Sequence, residues 1–147
     1  VFDQAMHQQL LDWQVDFVIL AGFMRILSEK FVRAWEGKML NIHPSLLPFY
    51  KGMHTHQRVL NSGDVFHGCT VHYVMPELDA GQAIAQGILK VGPHDDANHL
   101  AHRVHGLEHL IYPQVAEWIC RGDLHYVQGQ AIFKGQPLTE PVQFCKF

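Results

Sequence analysis

Apolar residues recur along the chain at two alternating spacings. After Asp3, a residue suited to capping, Met6, Leu10 and Trp13 stand at helical intervals and predict a helix over Gln4–Trp13. Val15–Leu20 is almost continuously apolar, as in a strand covered on both faces of a parallel sheet, and Ala21-Gly22 closes it. Ser28 is placed to cap a helix from Glu29 to about Glu36, with Gly37 as its C′ residue, and Met39–Ile42 is the next strand. That order makes a βαβ unit, whose ligands sit at the carboxyl ends of the strands. Gly22–Leu27 and Asn41–Pro48 both lie there.

Downstream, the loop Phe49–Met53 leads to a short helix over Thr55–Asn61, ended by Ser62-Gly63. Phe66–Met75 alternates as a strand, with Cys69, Val71, Tyr73 and Met75 on one face and Thr70, His72 and Val74 on the other. An acidic loop, Pro76–Gly81, separates it from a strand over Ala83–Val91 that pairs with it. Asp95 or Asp96 caps a long helix over Ala97–Cys120, whose stripe is Leu100, Val104, Leu107, Ile111, Val115 and Trp118. Pro113 should kink it, Gly122 ends it, and Tyr126-Val127 with Ala131–Phe133 forms a closing hairpin.

Composition narrows the class. The 147 residues, 48% hydrophobic and 17% charged, suit one globular α/β domain over residues 1–147. No apolar run is long enough for a membrane span and the amino end does not read as a secretory signal, so the cytoplasm is expected. Cys69, Cys120 and Cys145 are widely spaced and read as reduced, mostly buried thiols. A net charge of -3 without a basic run argues against nucleic acid as a partner.

The densest chemistry lies in Asn41-Ile-His43-Pro44. A strand puts Asn41 and His43 on one face, so an amide able to donate to an oxyanion stands beside an imidazole able to carry a proton. Asp79, in the loop between two later strands, can reach that imidazole, fix its tautomer and favour its protonated form. Read alone, Asp79 is equally an Asx turn before Gly81, and Arg25 and Glu108 read as solvated charges.

The segments Met24-Arg25-Ile26-Leu27, Asn41-Ile-His-Pro-Ser-Leu-Leu-Pro48, Lys51-Gly-Met-His-Thr-His56, His67-Gly-Cys-Thr-Val-His72, Glu77-Leu-Asp79 and Glu108-His-x-Ile-Tyr-Pro113 occur in this order over about Phe2–Leu124. In this the chain resembles the formyl-folate transferases. His43-Pro44 and Met53-His-Thr-His56 resemble the branch acting on glycinamide ribonucleotide, rather than methionyl-tRNA formyltransferases or formyltetrahydrofolate deformylases. The resemblance implies a Rossmann-like formyltransferase fold, a central mostly parallel sheet with flanking helices. It implies formyl transfer from 10-formyltetrahydrofolate, as co-substrate, to the amine of glycinamide ribonucleotide in purine biosynthesis, without a metal. Asn41, His43 and Asp79 would be catalytic. The folate would lie against Met24, Arg25, Ile26, Leu27 and the loop Pro76–Gly81, with Asn41, Glu77 and Asp79 among its contacts. Glu108 would bind the ribose hydroxyls. The partners implied are small molecules; a homodimer is compatible with the sequence.

Two departures stand out. Ala80 occupies a position where the family usually has Gly, which would tighten the folate loop if φ were positive there. The family's Gly-Ser-rich phosphate loop has no counterpart here, so amino-terminal strands of the sheet are expected to be absent, cleaved or supplied by another chain. That favours, as the alternative, a truncated folate-binding module without catalysis. His105-x-x-Glu108-His109 also fits an inverted zinc-peptidase pattern, but Gly106 weakens that helix and little chain remains for a third ligand. His54, His56 and His67 read as structural, and His99, His102, His105 and His109 as a polar helical face.

Overall fold

The computed structural model describes residues 1–23 and 25–147; Met24, expected at the folate site, lies outside the described residues. The elements in order are α1 (Phe2–Asp12), β1 (Val18–Leu20), α2 (Glu29–Ala34), β2 (Met39–His43), α3 (Thr55–Ser62), β3 (Phe66–Tyr73), β4 (Ala83–Lys90), α4 (Ala97–Arg121), β5 (Leu124–Val127), β6 (Gln130–Phe133), β7 (Gln136–Pro137) and β8 (Val142–Lys146).

The caps explain most boundaries. Ser28 accepts from the Phe31 N–H at the start of α2, and Asp96 from the His99 N–H at the start of α4. Gly63 and Gly122 take the left-handed conformation that ends α3 and α4. Asp3 does not cap α1: Val1 is the N-cap, and the Asp3 carboxylate in the first turn accepts from the Ser28 N–H 2.5 Å away, tying α1 to the start of α2. The expected strand over Val15–Leu20 shortens to Val18–Leu20, because only those residues pair with Met39–Asn41 of β2.

A five-stranded sheet has the order β1-β2-β3-β4-β8, and β5-β6-β7 form a small second sheet. The outer ladders, β1 with β2 and β4 with β8, are parallel; the inner ones, β2 with β3 and β3 with β4, are antiparallel. The sheet is therefore mixed, with helices on both faces. On one face the stripe of α4, from Leu100 to Trp118, packs against Leu40, Val71, Tyr73, Ile84 and Leu89. On the other, Phe31, Val32 and Trp35 of α2 cover Met39, with Met6 and Leu10 of α1 around them. Trp13, the C-cap residue of α1, is exposed instead. Of the thiols expected to be mostly buried, Cys69 is buried in the sheet, whereas Cys120 near the end of α4 and Cys145 on the edge strand β8 are exposed. Burial on both faces, at about 25 cal/mol per Å² of apolar area, holds β2 rigid, and β2 carries Asn41 and His43.

Candidate active site

β2 ends at His43, and the chain leaves it through Pro44–Pro48 along a buried polar clamp. The Thr70 hydroxyl of β3 donates to the Ser45 carbonyl at 2.7 Å and accepts from the Leu47 N–H at 3.0 Å. The Gln86 amide of β4 donates to the Leu47 carbonyl at 3.0 Å and to the Thr70 hydroxyl at 3.1 Å. Ser45 donates to the Phe49 carbonyl and Thr55 to that of Pro44, each at 2.6 Å. The loop is thereby fixed through satisfied buried polar groups.

The register of β2 against β3 builds the site. Asn41 lies opposite His72 and His43 opposite Thr70, so all four side chains share one face. The loop after β3 then folds over them. Gly81 approaches the Tyr73 carbonyl so closely that a Cβ would sit 1.6 Å from its oxygen, which pins the base of the loop. Asp79 adopts φ +52°, and its buried carboxylate points inward. Ala80 is not among the residues with positive φ, so the tightening expected from its methyl does not arise; the left-handed residue is Asp79.

Asp79 Oδ2 lies 3.5 Å from His43 Nδ1 and accepts from the Gly52 N–H at 3.0 Å. Asp79 Oδ1 lies 3.9 Å from His72 Nε2. On its far side, His43 Nε2 is 2.9 Å from the Tyr50 carbonyl, which can only accept, so Nε2 carries a hydrogen and Nδ1 is the nitrogen left to gain or lose a proton. Asn41 is half-buried, and among the described residues its amide makes no hydrogen bond to the protein, leaving it free for a ligand. An amide donor, an imidazole with its free nitrogen facing a carboxylate, and that carboxylate are together; His72, unassigned from sequence, stands with them.

The other expected contacts are spread out. Arg25 is exposed, with its guanidinium 3.8 Å above the Phe2 ring, and Ile26 is 93% exposed. Leu27 packs into the apolar cluster beneath α2, and Glu77 is exposed. Glu108 lies on α4 in a cleft of about 410 Å³ with Ile19, Gly22, Ile42 and Tyr112. Burial pushes its carboxyl above the ordinary range, and Tyr112 beside it donates to the Leu20 carbonyl at 2.5 Å. His105 and His109 are exposed neighbours on the same helix, ring centroids 4.5 Å apart. His56 Nδ1 meets the buried His67 Nε2 at 3.0 Å, while His54 precedes α3 in a left-handed conformation. Burial lowers the His67 pKa to about 4.

Fold and cluster together define an α/β domain that gathers an amide, an imidazole and a carboxylate at the carboxyl end of a parallel strand pair. A family model described as formyl transferase matches residues 1–116. The phosphoribosylglycinamide formyltransferase of Escherichia coli (strain K12) is 44% identical over 137 residues, 93% of this chain and 65% of that protein. The trifunctional purine biosynthetic protein adenosine-3 of Bos taurus is 49% identical over 121 residues, 82% of this chain and 12% of that protein. The solved structure of the Coxiella burnetii phosphoribosylglycinamide formyltransferase superposes with a TM-score of 0.92 at 43% identity, over 97% of this chain and 68% of that one. The chain belongs to the formyl transferase family, among the phosphoribosylglycinamide formyltransferases. It spans less than two thirds of the length of those two curated relatives.

Proposed function

We propose that this protein transfers the formyl group of 10-formyltetrahydrofolate to the amine of glycinamide ribonucleotide, and that residues 1–147 act as one formyltransferase domain carrying the catalytic and folate-binding parts. The observation that carries the reading is the convergence of Asn41, His43 and Asp79 at the end of β2, within a chain of this family. The amine attacks the formyl carbon and charge gathers on the formyl oxygen. The Asn41 amide donates to that oxygen, and His43, protonated on Nδ1 beside the Asp79 carboxylate, supplies the opposing charge. Asp79 receives the proton released by the amine and returns it, through water, to the departing folate nitrogen. Every proton has a residue to hold it, and the steps as written call on no metal ion.

The folate would lie along Arg25, Ile26 and Leu27 and under the loop that carries Glu77 and Asp79. The exposure of Ile26, an apolar side chain left uncovered in the loop between β1 and α2, supports a planar apolar ligand there. Glu108, in the cleft beside β1, would accept from the ribose hydroxyls. Three cysteines without a disulfide support a reducing compartment, the cytoplasm. No helix among the described residues is long and apolar enough to cross a membrane.

The test is release of tetrahydrofolate from 10-formyltetrahydrofolate with and without glycinamide ribonucleotide. Release that depends on the nucleotide is expected. Equal release without it would indicate hydrolysis rather than transfer, and binding of folate with no release under either condition would leave a folate-binding module.

A further inference from the structure

The fourth polar residue of the site has no role in the reaction as written. His72 is 3% exposed, and its Nε2 is a buried polar atom without a hydrogen-bond partner among the described residues. Its Nδ1 lies 2.9 Å from the Tyr73 carbonyl, so Nδ1 carries a hydrogen. Neutral His72 would then turn the lone pair of Nε2 toward Asp79 Oδ1, an acceptor facing an acceptor at 3.9 Å in a buried site. Such a contact is unfavourable unless a proton lies in it. The ionisable groups facing His72 are Asp79 from the loop after β3 and His43 from β2. Burial above all, with His43, holds the His72 pKa below the ordinary value, while the Tyr73 carbonyl and the Asp79 carboxylate favour its charge.

We propose that His72 is a positioning residue for Asp79: a hydrogen on Nε2 pairs the imidazolium with Oδ1 across 3.9 Å, which holds the carboxylate with Oδ2 turned to His43 Nδ1 and the Gly52 N–H. The inference rests on the reading of Asp79 as the acid–base group. It deepens that reading by giving each carboxylate oxygen a separate task. Oδ2 serves His43 and the reacting amine; Oδ1 is held from behind. The proton stays on His72 Nε2 and Asp79 remains a carboxylate, so Oδ2 is open to the proton of the amine. No further reactant is involved.

Two measurements test it. Long-range proton–nitrogen spectra of the imidazoles should show His72 protonated on Nδ1 throughout, with only Nε2 titrating. In Asp79→Asn that titration should move to lower pH by about one unit or more, because the carboxylate that supports the charge is gone. An Nε2–H tautomer of neutral His72, or a midpoint indifferent to Asp79→Asn, would overturn the proposal without any assay of turnover. For formyl transfer, His72→Phe should lower kcat roughly tenfold to a hundredfold with KM for both substrates within about twofold, as for a misplaced catalytic group. His72→Gln, whose amide can donate to Oδ1 from about the place of Nε2, should recover most of the loss. His72→Gln no better than His72→Phe, or both like the parent protein, would refute it. Asp79→Asn with undiminished turnover would instead remove the acid–base reading of Asp79, while the spectra still decide whether His72 carries the proton that faces it.

Discussion

Replacing Thr70 by Val separates the polar clamp beneath the site from ordinary core packing. The two side chains are nearly the same size, so no cavity opens and the effect is confined to the hydroxyl. Thr70 is fully buried and its hydroxyl serves three partners. Without it the Leu47 N–H loses the acceptor at 3.0 Å and one hydrogen of the Gln86 amide loses its partner at 3.1 Å. The Ser45 carbonyl loses its donor at 2.7 Å. Each orphaned buried group costs about 1–3 kcal/mol, carbonyls toward the lower end, so a total of roughly 3–5 kcal/mol is expected. Thr70→Ser keeps the hydroxyl and removes one methyl, at about 1 kcal/mol. Urea denaturation of both variants at pH 7.5, read from the transition midpoint at unchanged slope, measures the difference. Thr70→Val no less stable than Thr70→Ser would refute the clamp. Because the clamp fixes the chain directly after His43, Thr70→Val should also lose turnover at temperatures where it remains folded.

Two further outcomes follow from the geometry. His67 has a folded pKa of about 4 against an ordinary 6.5, so the fold opposes its protonation: its contribution is complete above about pH 6.5 and is lost as pH falls toward 4. Denaturation at pH 7.5 and 4.5 should differ by about 2–3 kcal/mol from this group, and His67→Gln should flatten that difference; an unchanged pH dependence would mean that His67 is not held neutral. Gly81→Ala sets a methyl against the Tyr73 carbonyl oxygen, 1.6 Å from an ideal Cβ, so the loop carrying Asp79 must shift. A loss of about 2 kcal/mol or more is expected, together with weaker folate binding by fluorescence titration, and a variant as stable as the parent with the same affinity would show that the loop is not pinned there.

Much of this arrangement was legible because it is local. The helical stripe from Leu100 to Trp118 emerged as the buried face of α4, and Ser28, Gly63 and Gly122 bound the helices where their chemistry puts them. Asn41 and His43 share a face because strand alternation requires it. What was not legible depends on pairing between distant segments. β8 was unforeseen: Val142 and Phe144 are its only partly buried apolar positions, and only the neighbouring β4 makes Val142–Lys146 a strand. Nothing local distinguishes Asp3 as a helix cap from Asp3 as a partner of Ser28, 25 residues on. The same limit hid His72. Alternation put it on a face with Thr70, but that this is the face of Asn41 and His43 follows from the register of β2 on β3. Asp79 could be named a candidate; the left-handed turn that aims it inward is a property of the folded loop.

The central claim is that the groups gathered at the end of β2 carry out formyl transfer, and turnover of Asn41→Ala tests it most directly. Asn41 is half-buried and free of protein partners among the described residues, so removing its amide should leave the unfolding midpoint nearly unchanged. Loss of one oxyanion donor should lower kcat by about 10²–10³-fold. A folded Asn41→Ala protein that transfers formyl groups at close to the parent rate would contradict the account.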